Sequence, residues 1–239
     1  MKSLCLIPAR GGSRRIPRKN LLPLAGRPLI SYTIQAARES ALFARIVVSS
    51  DDAEILALAK QEGAEADNRP PELAGDRVRF VEVLEEYLLR AAAGFDTVAV
   101  LLPTCPFRTP QDIAAAYGML LAAAQPSFVV SVSEYDFPPQ FALDIDGTHA
   151  RVRHPDIYAA STQSQSVPKS FHPNGAIYFA PIPLFLAHRS FFREPLLAYL
   201  MPPERSLDID NLYQFEIAEA IMAARTRFSE SYLPEPPLP

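Results

Sequence analysis

The run Pro8-Ala-Arg-Gly-Gly-Ser-Arg-Arg-Ile-Pro-Arg-Lys-Asn20 combines a glycine pair with the cations Arg10, Arg14, Arg15, Arg18 and Lys19. Glycine lets backbone N–H groups approach phosphate oxygens without a Cβ in the way, and arginine and lysine neutralise the charge of a polyphosphate. The chemistry expected of Gly11 and Gly12 with the cations, Arg10 and Lys19 among them, is therefore capture of a nucleotide's phosphates. The spacing is neither Gly-x₄-Gly-Lys-Ser/Thr nor Gly-x-Gly-x-x-Gly, so kinase, GTPase and dehydrogenase readings lose support. Taken alone, such a loop is equally compatible with a solvated turn.

Near the other end, Asp208 and Asp210 stand two apart in a segment that reads as extended, where residues i and i+2 share a face. Two carboxylates can then converge on one cation. Mg²⁺ commonly takes one or two carboxylates and completes its octahedral shell with phosphate oxygens and water. Asp210 is also placed to cap the helix that follows. His149, His154, His172 and His188 have no metal-ligand spacing, Cys105 reads as a small apolar filler, and no Ser-His-Asp constellation is visible.

Short apolar runs at 4–7, 46–48, 98–102 and 128–132 have the pattern of strands buried on both faces. Helix-length segments lie between them: 28–38 opening on a proline, 53–61 following Asp51-Asp52, and the Ala/Leu-rich 78–93 and 110–124. The alternation predicts an α/β fold, doubly wound around a mostly parallel sheet, and such sheets place ligands beyond the carboxyl ends of their strands. The basic loop follows the first strand directly and so falls there. From about residue 134 to 172 the alternation breaks into a stretch with Tyr135, Phe137, Pro138, Pro139 and Phe141, then the hairpin-type turn Asp146-Gly147, which reads as an insertion. A strand at 175–179 and a closing helix at 212–225 complete one domain over 1–226. Four of the last six residues are prolines, so 227–239 is expected to be a frayed tail.

Hydrophobic residues make up 49% and charged residues 21% of the 239, a globular balance. The net charge of −4 argues against nucleic acid as a partner, yet residues 1–38 carry eight cations and no acid, so an anion site is local to them. No stretch approaches the ~20 apolar residues of a membrane span, and the first apolar run is far shorter than a secretory core. Cys5 and Cys105 lie far apart without a Cys-x-x-Cys, which fits a reducing cytoplasm.

The loop run, followed by Leu22-Pro-Leu-Ala-Gly-Arg-Pro-Leu-Ile30, resembles the signature of the CMP-sialic acid synthetases, or acylneuraminate cytidylyltransferases, a group that includes the pseudaminic and legionaminic acid enzymes. The resemblance resumes at Val47–Asp52, Arg69–Ala74, Leu101–Thr109, Pro173–Tyr178 and Asp208–Asp210, and so spans residues 3 to about 222 in the family's order. It implies a nucleotide-diphospho-sugar transferase-like fold, CTP and a nine-carbon 2-keto sugar acid as substrates, Mg²⁺ as cofactor, and a homodimer whose inserted region reaches the neighbouring site. It also implies phosphate contacts for Arg10 and Lys19, nucleotide contacts for Ser13, Asn20 and Arg69, and metal ligation by Asp208 and Asp210. Leu102, Gln163, Gln165 and Asn174 fall at sugar-side positions.

Three departures narrow this. Leu102 replaces a glutamine of the sialic acid enzymes, Thr162-Gln-Ser-Gln165 stands where they carry an arginine ahead of a glutamine, and Arg77-Val-Arg-Phe80 replaces small hydroxyl residues after Asp76. Leu102 suits a deoxy sugar better than a fully hydroxylated one. The rival readings are a glycosyltransferase, a sugar-phosphate nucleotidyltransferase of similar fold, or an inactive nucleotide-binding protein. The first usually carries an acidic pair at the end of a mid-chain strand, where this chain has Leu101-Leu-Pro-Thr-Cys105.

Overall fold

In β1 (Ser3–Pro8) the side chains of Leu4 and Leu6 join one apolar cluster and those of Cys5 and Ile7 another, all of them fully buried. That follows from the two-residue period of a strand covered on both sides. The computed structural model, which describes residues 1–160 and 167–229, repeats the arrangement across a seven-stranded sheet. Its members are β1, β4 (Phe43–Ser50), β5 (Glu65–Asn68), β6 (Thr97–Val100), β7 (Phe128–Glu134), β10 (Phe171–Pro181) and β11 (Leu196–Leu200). Two short hairpins lie outside it, β2 (Pro23–Leu24) with β3 (Arg27–Pro28) and β8 (Leu143–Asp146) with β9 (His149–Val152).

The sheet order is β11-β7-β10-β6-β1-β4-β5, and every neighbouring pair is parallel except those made by β10, which runs antiparallel to β6 and β7. One face is covered by α1 (Leu29–Glu39), α2 (Ala53–Gln61) and α4 (Pro110–Ala122), which contribute Ile30, Ile34, Ile55 and Ile113 to the cluster of Cys5 and Ile7. The other is covered by α3 (Phe80–Ala91) and α6 (Ile182–His188) through Val83, Leu84 and Phe185. The chain is thus an α/β fold, doubly wound around a mostly parallel sheet.

Local chemistry accounts for the helix starts. Asp52 accepts from the N–H groups of Glu54 and Ile55 at the head of α2. Thr109 and Asp112 form a reciprocal capping box at the head of α4, with Pro110 where its missing N–H matters least. The apolar run expected to be a strand as far as Leu102 forms β6 only to Val100; the Leu101 N–H still bonds to the Leu6 carbonyl at 3.2 Å, and Pro103 has no N–H to carry a ladder on. Between the end of β7 at Glu134 and the start of β10 at Phe171 the chain leaves the main sheet for the β8–β9 hairpin and α5 (Pro155–Ala160). The last helix, α7 (Leu212–Ser229), runs past residue 226, and the Pro-rich stretch 230–239 lies outside the described residues.

A third apolar cluster positions the chemistry. Ile16 of the basic loop, Phe107 of the loop after β6, Ile209 between the two aspartates, and Phe215 and Ala218 of α7 are buried together. Both sequence motifs are therefore pinned by an isoleucine inside them, which leaves their polar neighbours at the rim.

Candidate active site

The basic loop leaves β1 at its carboxyl end, and its first N–H, that of Ala9, still bonds to the Ser49 carbonyl of β4. The glycine pair meets two different surroundings, and Gly11 packs against a second loop. Its N–H donates to the Asp51 carboxylate at 2.9 Å, and a Cβ on it would lie 2.9 Å from both Cβ and Oδ2 of Asp52. Gly11 is required by the close approach of another loop, and its N–H is already engaged. A Cβ on Gly12 would meet nothing within 4 Å, and neither glycine lines the cavity described next.

That cavity, of about 280 Å³, opens beside the loop, and Arg10, Ser13, Lys19 and Asn20 lie on its wall with Arg69. Asn20 is buried and donates its side-chain amide to the Arg10 carbonyl at 2.9 Å, so it also shapes the loop backbone. Arg69 is buried and donates to the Ser49 carbonyl at 2.7 Å. Burial pushes its guanidinium below the ordinary arginine value, against the opposing pull of Asp51 and Asp67. Val78, Phe80, Val83 and Leu102 give the same cavity an apolar side, and Phe80 is held by ring contact with Tyr178 at 5.1 Å between centroids. A concave site with convergent cations and one apolar wall suits an anionic ligand bearing a flat ring.

Asp208 and Asp210 come in from the C-terminal side, flanking buried Ile209, whose N–H bonds to the Thr104 carbonyl at 2.8 Å. Thr104 lines the cavity, and the Cys105 thiol reaches Asp208 Oδ1 at 3.8 Å. Burial raises the Asp208 carboxyl above the ordinary carboxylate range, and neighbouring Asp210 adds to it while Thr104 and Lys19 oppose. Lys19, whose side chain is only 12% exposed, donates to the Ile209 carbonyl at 2.6 Å and lies 3.4 Å from Asp210 Oδ1. Arg15 reaches the other Asp210 oxygen at 2.8 Å. The capping alternative for Asp210 is resolved by its neighbours. Asn211 accepts from the Gln214 N–H, and Gln214 accepts from the N–H groups of Asp210 and Asn211, so the α7 end is closed without the Asp210 carboxylate.

The segment before this pair is anchored from below. Asp112 of α4 receives Arg205 at 3.0 Å and the Tyr199 hydroxyl at 2.8 Å. Burial alone would raise the Asp112 carboxyl, but the bonds from Arg205, Thr109 and Tyr199 more than offset it and hold it below the ordinary value.

The sugar-side positions are split. Leu102 lies on the cavity wall, and Gly175 faces both it and Asp208: a Cβ on Gly175, which has φ +79°, would sit 3.3 Å from Leu102 Cδ1 and 3.6 Å from Asp208 Oδ2. Only glycine meets both the positive φ and that crowding. Asn174 is not on the cavity wall. It is 2% exposed, accepts from the Ser131 hydroxyl at 2.5 Å and the Ala176 N–H at 3.1 Å, and donates to the Ser133 hydroxyl at 2.9 Å. Its amide orders the irregular stretch of β10 where the register with β7 shifts between Pro173 and Tyr178. Gln163 and Gln165 lie outside the described residues.

A protein-family model described as cytidylyltransferase matches residues 4–219, nearly the whole chain and both motifs. The chain belongs to the cytidylyltransferase family. Among similar proteins, the N-acylneuraminate cytidylyltransferase of Escherichia coli is 34% identical over 226 residues, covering 95% of this chain and 53% of that protein. The chain spans about half the length of that relative. The pseudaminic acid cytidylyltransferase of Campylobacter jejuni is 33% identical, with 92% of this chain and 96% of that protein covered. The CMP-N,N'-diacetyllegionaminic acid synthase of Legionella pneumophila is 34% identical, with 93% and 97% covered. A solved structure of CMP:2-keto-3-deoxy-manno-octonic acid synthetase complexed with CTP shares the cytidylyltransferase fold at a TM-score of 0.67 and 20% identity, covering 94% of this chain and all of that one.

Residues to which reading the sequence gave no role complete the cavity. Thr104, Val78 and Phe80 line it, Asp76 contributes a carboxylate to its wall, and Asp51 engages the loop glycine. Thr104 lies inside the run Leu101–Thr109 that carries the family likeness, which is the signal that marks it. Asp51 lies inside the likeness run Val47–Asp52, but its contact with the loop, like that of Asp76, becomes visible only once the chain is folded.

Proposed function

We propose that this cytidylyltransferase transfers CMP from CTP to the anomeric hydroxyl of a nine-carbon 2-keto sugar acid and releases pyrophosphate. The observation that carries the reading is the meeting of Arg10, Lys19 and Arg69 on one cavity wall with the Asp208–Asp210 segment fastened to Lys19. Support for the substrates comes from the relatives, which are named for sialic, pseudaminic and legionaminic acids.

In this mechanism the sugar oxygen attacks the α-phosphorus in line, the bond to the β-phosphate breaks, and pyrophosphate leaves. Positioning and charge neutralisation supply most of the acceleration in such transfers. Arg10 and Lys19 hold phosphate oxygens, Arg69 and the apolar wall hold the nucleoside, and Ser13 and Asn20 fix the loop between them. The donor set fits Mg²⁺: Asp208 and Asp210 are hard oxygen donors, Asp208 has no cationic side chain paired with it among the described residues, and Asp210 is held only by part-exposed contacts. These two carboxylates would hold the ion, which would offset charge building on the phosphates. Among the described residues no group of three or more His, Cys, Asp or Glu is placed to hold a metal, which suits an ion that completes its shell with substrate phosphates and water.

The protein works as a homodimer in the cytoplasm in this reading. Phe137 and Ile145 of the stretch between β7 and β10 are 63% and 67% exposed, an apolar surface that a second copy would cover. Both cysteines are free and buried, which suits a reducing compartment. No helix among the described residues is long and apolar enough to cross a membrane. The test incubates the protein with CTP, Mg²⁺ and a panel of nonulosonic acids and detects the CMP-sugar by mass spectrometry. A CMP adduct of at least one is expected, and failure with all of them alongside turnover of a sugar phosphate would overturn the reading.

A further inference from the structure

Asp76 stands in the segment between the turn at 71–73 and α3, and it lines the cavity together with Arg10, Val78 and Phe80. Its two carboxylate oxygens are divided between two cations of the basic loop. Oδ1 accepts from Arg10 at 2.8 Å, and Oδ2 pairs with Arg14. The Val78 N–H closes a tight turn onto the Gly75 carbonyl, so this carboxylate is held against the loop by a short, bonded turn. The arginine that would take the nucleotide's phosphates is thus already paired with an anion on the same wall. A carboxylate left facing a polyphosphate would repel it, so the pair has to be rearranged when nucleotide enters.

We propose that Asp76 competes with the nucleotide's phosphates for Arg10, pairing with it before nucleotide binds and keeping only its pair with Arg14 once the phosphates take Arg10. The exchange rests on the reading of the site given above. Arg10 and Asp76 have side chains 36% and 34% exposed, and a pair of that exposure is weak enough to open readily. Arg14, at 80% exposed, has no role in the cavity wall and is free to keep Asp76 neutralised outside it. Asp76 accordingly sets the affinity for the triphosphate and for the leaving pyrophosphate by competing with both for one guanidinium.

Calorimetric titration of CTP and of inorganic pyrophosphate, without sugar, into the wild type, Asp76→Asn, Asp76→Ser, Arg14→Ala and the Asp76→Asn/Arg14→Ala double variant tests this. Both Asp76 variants should bind both ligands more tightly, by about two- to five-fold, the equivalent of losing one part-exposed ion pair. Damage to the fold does not tighten binding, so the direction separates competition from a structural role. Arg14→Ala should weaken binding in the wild type and have less effect in the Asp76→Asn background, because Arg14 acts through Asp76. Unchanged or weaker binding by both Asp76 variants would overturn the exchange while leaving the reading of the site intact. Failure of the wild type to bind either ligand would overturn both.

Discussion

The Lys19 ammonium donates to the Ile209 carbonyl at 2.6 Å, tying the basic loop to the residue between the two aspartates, 190 positions away in sequence. Lys19 is consequently both a charge and a fastener. A hydrogen bond from a charged donor to a part-buried acceptor contributes roughly 1.5–3 kcal/mol.

Lys19→Ala should lose activity and also melt earlier, by roughly 3–10 °C for a chain of this size. Arg10→Ala should lose activity at an unchanged melting temperature, since its ion pair is part exposed. Thermal melts run beside a pyrophosphate-release assay separate the two. Equal melting of both variants would remove the fastening role.

Asp208→Asn and Asp210→Asn should each lower turnover by at least ~10²-fold while the protein stays folded, if each helps to neutralise charge in the transition state. Chelation with EDTA should abolish product formation and Mg²⁺ should restore it. Full activity in EDTA would remove the metal from the mechanism.

Gly11→Ala should be destabilising and inactivating, because its Cβ would press on the Asp52 side chain at 2.9 Å, whereas Gly12→Ala, with open space around it, should fold normally. Circular dichroism and activity measured on the pair check this. A well-folded, active Gly11→Ala would mean that the two loops separate without loss.

Acid should weaken the anchor under the aspartate segment. The Asp112 carboxyl is held below its ordinary value, so its stabilising contribution is complete above the ordinary carboxylate range and disappears as the pH falls through the lowered folded-state value. Asp112→Asn should cost about 1–2 kcal/mol at neutral pH, because the Arg205 left unpaired is partly solvated, and should flatten the acid limb of the stability profile. Denaturant midpoints measured from neutral to acid pH for both proteins test the sign.

Leu102 lines the cavity on the side where Gly175 faces both it and Asp208, and its side chain makes no hydrogen bond. A pocket that leaves a sugar hydroxyl unpaired loses roughly 1–3 kcal/mol per group, so a deoxy nonulosonic acid of the pseudaminic or legionaminic type should outperform N-acetylneuraminic acid. Leu102→Gln should move the preference toward the hydroxylated sugar. Competition assays on kcat/KM decide it, and faster turnover of N-acetylneuraminic acid by the wild type would refute this role for Leu102.

The double covering of the sheet was legible because Leu4–Ile7 and Val98–Leu102 are continuous apolar runs, the pattern of a strand buried on both faces. Strand β11 was not, since Leu196-Leu-Ala-Tyr-Leu200 has no β-branched residue and takes its conformation from pairing with β7. The closeness of Lys19 to Asp210 could be anticipated from the two motifs. The engagement of Asn174 by Ser131 and Ser133 could not, because those partners are 43 and 41 residues away and nothing local announces them. The same holds for Gly11. A glycine beside arginines reads as an open backbone for phosphate, and the carboxylates that fill its space follow a different strand.

That filled space bears on how such a protein can be recombined. Residues 8–20 hold nearly all the visible anion-binding signature, and they look like a portable cassette. Yet Gly11 seats on Asp52 and bonds to Asp51, Ile16 is buried against Phe107 and Ile209, and Lys19 grips the Ile209 carbonyl. A chimera that exchanged this stretch alone would carry the cations across and leave behind the three sockets that aim them. The smallest transferable unit is the loop together with residues 51–52, Phe107 and the 208–210 segment, four pieces far apart in the gene that have to be moved as one.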